Sequence, residues 1–109
     1  MEREINQYQV FWISLDPTEG SEMSKTRPCV ILSPNEMNEN LQTVIVAPLT
    51  STVKNFPSRV SVKFGGQNGM VALDHIRSVS KNRIGKLLGE LKTPEMEKIK
   101  QTLQEMLCE

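Results

Sequence analysis

The chain has 109 residues, 38% of them apolar, enough for one core and too few for two, so a single domain over 1–109 is expected. Thirteen basic and thirteen acidic residues cancel to a formal net charge of zero, which excludes a protein that coats nucleic acid through its overall field. Cys29 and Cys108, the only cysteines, spell neither a disulfide framework nor a metal site, and no run approaches the roughly 20 apolar residues of a membrane span, so a cytoplasmic protein without metal, cofactor or membrane partner is expected.

Residues 10–15, Val-Phe-Trp-Ile-Ser-Leu, are β-branched or aromatic and run into Asp16-Pro17, which predicts a strand closing in a turn. Its mid-strand position predicts a core place for Trp12. A polar stretch of about eleven residues follows, long for a hairpin, and long loops are often functional. Cys29 to Leu32, bounded by Pro28 and Pro34, predicts a second strand, and residues 35–40 read as loop. Thr43 to Ala47 is an apolar run too short for a buried helix, predicting a core strand stopped by Pro48. Residues 59–64 alternate polar and apolar, the mark of a strand with one wet face, and Gly65-Gly66 ends it. After a loop around Asn68-Gly69, residues 70–73 supply a fifth strand. Together these predict a mainly β fold, a small coiled antiparallel sheet or barrel.

Residues 80–92 are ambiguous apart from a short helical turn near Lys81 and Arg83. Thr93 then offers an N-cap hydroxyl and Pro94 suits the first helical position. Met96, Ile99, Leu103, Met106 and Leu107 fall on one stripe, predicting a C-terminal helix docked on the sheet.

Neutral totals hide an asymmetry. From Thr43 to Leu88 stand seven basic residues and one acid, Asp74, so a basic central half is flanked by acidic ends and can gather a polyanion on one face. The polar stretch after the first strand adds Glu19, Glu22, Lys25 and Arg27. Arg27 precedes Pro28, which pushes its backbone toward an extended conformation.

The run Asp16-Pro17-Thr18-Glu19-Gly20-Ser21-Glu22, followed by Arg27-Pro28 and an apolar strand, resembles the MazF/PemK family of toxins. Two further blocks agree, Val46-Ala47-Pro48-Leu49-Thr50-Ser51 and Val71-Ala72-Leu73-Asp74-His75-Ile76-Arg77-Ser78-Val79, in the family's order from about Val10 to Arg83. The resemblance implies an SH3-like barrel of the CcdB/MazF type with a C-terminal α-helix. It also implies a homodimer with a shared RNA groove, and a toxin of a type II toxin-antitoxin system that cuts single-stranded mRNA sequence-specifically, independently of the ribosome and of metal. A cognate antitoxin blocking the groove with an acidic tail is implied as partner. Arg27 and Thr50 correspond to the family's cleavage residues, and Glu22 to a glutamate implicated in some members.

That chemistry suits these side chains. When the substrate's own 2′-hydroxyl attacks, leaving a 2′,3′-cyclic phosphate and a 5′-hydroxyl, the protein need only move protons and stabilise charge. A guanidinium at Arg27 presents paired donors to the two non-bridging oxygens, Thr50 adds a hydroxyl, and Glu22 can take the 2′-hydroxyl proton. A surface ion pair to Glu19 or Glu22 is the competing reading of Arg27, a strand-end packing role that of Thr50, and a solvated loop acid that of Glu22. Asp74 and His75 are catalytic or interface candidates, but strand alternation points them to opposite faces; most family members carry glutamine where His75 stands. Lys25, Ser51, Lys54, Arg59 and Arg77 are candidate RNA contacts, and Phe56 a base-stacking candidate. A gyrase-binding poison like CcdB and a silent interaction module remain as alternatives; the first is disfavoured by the ending Leu107-Cys108-Glu109, which lacks an apolar, tryptophan-bearing tail.

Overall fold

The structure, a computed structural model, describes residues 4–15 and 26–108. Among the described residues seven strands form one curled antiparallel sheet: β1 (Gln9–Ser14), β2 (Thr26–Ile31), β3 (Thr43–Thr50), β4 (Arg59–Phe64), β5 (Gln67–Ala72), β6 (Arg77–Ser80) and β7 (Ile84–Glu90). Their order is β4-β5-β3-β2-β1-β7, with β6 paired to β3. Two helices accompany them, α1 (Asn35–Asn40) and α2 (Thr93–Leu107). The expected coiled antiparallel sheet with a C-terminal helix is therefore present.

The central strands are buried on both faces, which explains their unbroken apolar runs. One face gathers Phe11, Ile13, Cys29, Ile31, Val44, Val46, Val79 and Ile84. The other gathers Val10, Val30, Ala47, Val60, Val71 and Leu73 around Ile99 of α2. Ile99 is fully buried, while Met106 and Leu107, expected on the same stripe, are exposed; the helix docks through its first two-thirds. Its N-cap is Lys92 rather than Thr93. Glu95 accounts for this, accepting the Lys92 N–H at 3.0 Å and, with its other oxygen, the Lys63 N–H at 2.7 Å. One carboxylate thus closes the helix start and holds the edge of β4.

Several elements depart from expectation for identifiable reasons. Trp12, expected in the core, is 44% exposed: alternation puts it on the face of Val10, which packs with Ile99 of α2, but two residues further along β1 that face is uncovered. The third strand runs through Pro48 to Thr50: Pro48 is its last residue paired with β2, and from Leu49 it pairs with β5. On the opposite edge β3 pairs with β6 up to Val46 and with β5 from Leu49, so Pro48, which has no N–H to give, sits in the gap between the two ladders. Asn68-Gly69 is not a loop but lies within β5. The turn is Gly65-Gly66, both left-handed (φ 61° and 80°), the two-residue loop whose backbone matches strand twist. Residues 35–40, expected as loop, form α1, and its buried Asn38 is held by Ser33. The ambiguous stretch contains β7 after the expected turn at Lys81–Arg83.

Candidate functional site

Arg27 is the second residue of β2 and pairs with Ile13 of β1. Thr50 ends β3, two residues beyond Pro48, the last residue that β3 pairs with β2. Arg27 and Thr50 line one open hollow of about 360 Å³ at the end of the sheet. Thr26, Ser51, Gln67, Asn68 and Gly69 share its lining, and no carboxylate does among the described residues. Thr50 is buried, and its Oγ1 accepts the Thr52 N–H at 3.1 Å. With a lone pair occupied, the hydroxyl proton is left to donate outward. Cys29 lies under this end of the sheet; burial pushes its thiol up to about 12, against the opposing pull of the Arg27 and Arg77 charges. The cysteine is thus an inert core residue, and both arginines are close enough to act on it. Arg77 donates from Nη1 to the Leu15 carbonyl at 3.1 Å, tying β6 to the end of β1. Glu22 and Lys25 lie outside the described residues.

A second polar cluster forms where the turn before β4 meets the turn after β5. Arg59 grips Asp74 with two hydrogen bonds, 2.7 Å from Nε and 3.0 Å from Nη2, and Ser58 Oγ donates to the same carboxylate at 3.1 Å. The two Arg59 bonds, foremost, hold the Asp74 carboxyl down at about 2. The Phe56 ring caps the guanidinium with its centroid 5.5 Å away, and stays half exposed. The Arg59 side chain is 6% exposed, so it is spent on this contact rather than presented to phosphate. Asp74 and His75 occupy a 3-10 turn, Leu73–His75, not a strand. The expectation that they face opposite ways therefore fails: His75 Nε2 stands 3.5 Å from Asp74 Oδ2. Arg77 likewise begins a new strand, so alternation does not relate it to His75. Lys54 lies in the exposed loop before Phe56, its N–H directed at the Met70 sulfur at 3.4 Å.

Of the residues singled out from sequence, Arg27, Thr50 and Ser51 are brought together. Phe56, Arg59, Asp74 and His75 form the separate cluster. Gln67 and Asn68 in the hollow were missed, because Asn-Gly reads as a turn; the Gly-Gly pair just before it was the signal that places them on a strand.

The fold and the hollow define a class: small curled-sheet proteins with a polar site at one end of the sheet and a single long helix on its back. The chain superposes on the crystal structure of MazF (Form-I) from Deinococcus radiodurans with a TM-score of 0.86 at 26% identity, covering 97% of this chain and 98% of that one. It superposes on a mycobacterial endoribonuclease, solved in complex with its cognate antitoxin, with a TM-score of 0.81 at 27% identity and 94% coverage of each chain. Among curated proteins, the endoribonuclease toxin MazF of Escherichia coli is 31% identical over 71 residues, 65% of this chain and 64% of that protein's length. The family model for the PemK-like, MazF-like toxin of type II toxin-antitoxin systems matches residues 6–107. The chain belongs to that family.

Proposed function

We propose that this chain is a ribosome-independent endoribonuclease that cuts single-stranded mRNA in the cytoplasm, as the toxin of its toxin-antitoxin pair. The observation that carries this reading is the convergence of Arg27 and Thr50 on one hollow. The substrate's 2′-oxygen attacks phosphorus, the bond to the 5′-oxygen breaks, and the products are a 2′,3′-cyclic phosphate and a 5′-hydroxyl. Arg27 holds the two non-bridging oxygens bidentately and offsets the charge that builds on them, while Thr50 donates its hydroxyl to the same group. Glu22 removes the 2′-hydroxyl proton, and the departing 5′-oxygen takes a proton from water. Phe56, flattened on the Arg59 guanidinium, offers its free face to a base further along the strand, a sequence-tolerant grip. Asp74 and His75 hold that platform and take no part in proton transfer.

The relatives' names support the enzyme over the alternatives: they are called endoribonuclease, and a gyrase-binding poison is not favoured. We assign a homodimer, and a cognate antitoxin whose acidic tail occupies the phosphate sites, complementary to the basic central half of the chain. Incubating the purified protein with a long RNA in EDTA tests the enzyme directly. Discrete fragments with 5′-hydroxyl and 2′,3′-cyclic phosphate ends are expected; intact RNA would leave only a binding module.

A further inference from the structure

The hollow beside Arg27 and Thr50 is larger than a phosphate requires, and it is only partly polar. Pro28, Leu49, Val62 and Phe64 give it an apolar wall, and Gln67 stands beside them in its lining. The Gln67 amide is positioned by regular structure. The tight Gly65-Gly66 turn sets Gln67 opposite Phe64, on the face of the apolar wall, and Asn68 opposite Lys63, on the other face of the hairpin. Gly69 comes next, and a Cβ there would stand 3.0 Å from the Thr50 carbonyl oxygen; its bare backbone lets β5 close on the strand that carries Thr50. The ring of Phe64 is backed by Gly89, where a Cβ would approach it to 3.3 Å. Gln67 is exposed, and its side chain is engaged by no other described residue.

An apolar wall beside an amide, continuous with a guanidinium and a hydroxyl, is the chemistry of a nucleobase attached to a bound phosphate. The wall takes the face of the base, and an amide offers both a donor and an acceptor to its edge. Single-stranded RNA is read in this way, by packing on the face and hydrogen bonding at the edge. A cavity of about 360 Å³ also suits a small flat ligand. We infer that this hollow holds the nucleobase next to the scissile phosphodiester, and that Gln67 reads its edge and sets which base is preferred there. The inference rests on the ribonuclease reading above.

The test compares the full-length wild type with Gln67→Ala and Gln67→Glu on one long RNA of mixed sequence, mapping every cleavage end. Thermal melts confirm that each variant is folded, and Gln67→Glu preserves shape while exchanging an amide donor for an acceptor. Gln67→Ala is expected to lose about tenfold or more of its discrimination at a single nucleotide position flanking the cut, and Gln67→Glu to change the base preferred there. Unchanged relative rates across all sites, or a uniform loss at every site, would overturn the inference. RNA left whole by the wild type would overturn the ribonuclease reading, and this inference with it.

Discussion

Arg27 and Arg59 both stand on strands of the same sheet, and the structure gathers different groups around each. Arg59 has Ser58, Phe56 and, at 2.7 Å, Asp74; the hollow that Arg27 lines has Thr50 and Phe64 but no acid among the described residues. A cation answered inside the chain becomes a clasp, because its donors are used and its charge is neutralised. A hollow lined by a guanidinium, hydroxyls, an amide and apolar carbons instead offers groups that suit an anion with an attached ring. Sequence alone does not separate the two, since both arginines sit on strands beside polar residues.

Exchanging the arginines one at a time breaks the comparison most directly. Arg27→Ala is expected to slow cleavage by about a hundredfold or more, with an unchanged melting temperature, measured on a fluorescent RNA reporter and by calorimetry. Arg59→Ala is expected to do the reverse, costing stability while leaving the chemical step largely intact. A smaller effect should follow from Phe56→Ala, about tenfold weaker RNA binding with little change in kcat, read from KM or from titration of an uncleavable 2′-deoxy substrate. Loss of kcat instead would place Phe56 with Arg27.

Smaller again is the energy of the clasp. Asp74→Asn is expected to lower stability by about 1 kcal/mol, a modest figure because the Asp74 side chain is 33% exposed, checked by urea unfolding. The same pair sets a pH dependence. The folded carboxyl sits at about 2, below its ordinary value of 3.8, so the unfolded chain binds the proton first as pH falls. The stabilisation is therefore complete above pH 4 or so and is lost between that value and about 2. Asp74→Asn should flatten that acid limb of the stability curve; an unchanged limb would mean that Asp74 is not clasped in solution.

Much of this was legible from the chain, and the gaps have physical causes. Period-two alternation marked β4, the apolar runs marked the strands buried on both faces, and the capping residues at 93–95 marked α2 to within one residue. What failed were the places where one local signal outvoted another. Asn68-Gly69 is a strong turn signal, yet the preceding glycine pair took the turn, and this hid two residues of the hollow. Strand alternation was extended through Asp74 and His75 because Val71 to Leu73 is so apolar, whereas a 3-10 turn there swings both side chains together. The pairing of Arg59 with Asp74 spans fifteen residues and two strands, so only register reveals it. Arg27 and Thr50 were found through resemblance to a family; their shared hollow follows from the pairing of β2 with β3, which no local pattern contains.

Whether Arg27 and Thr50 act on the same phosphodiester is best tested by a double-mutant cycle of Arg27→Lys and Thr50→Val, measured as kcat/KM on one short RNA with a single cut site. If both donors serve one transition state, the double variant should be no slower than the worse single variant. A double variant slowed by the product of the two single effects, or an Arg27→Lys variant cutting at the wild-type rate, would contradict a shared site.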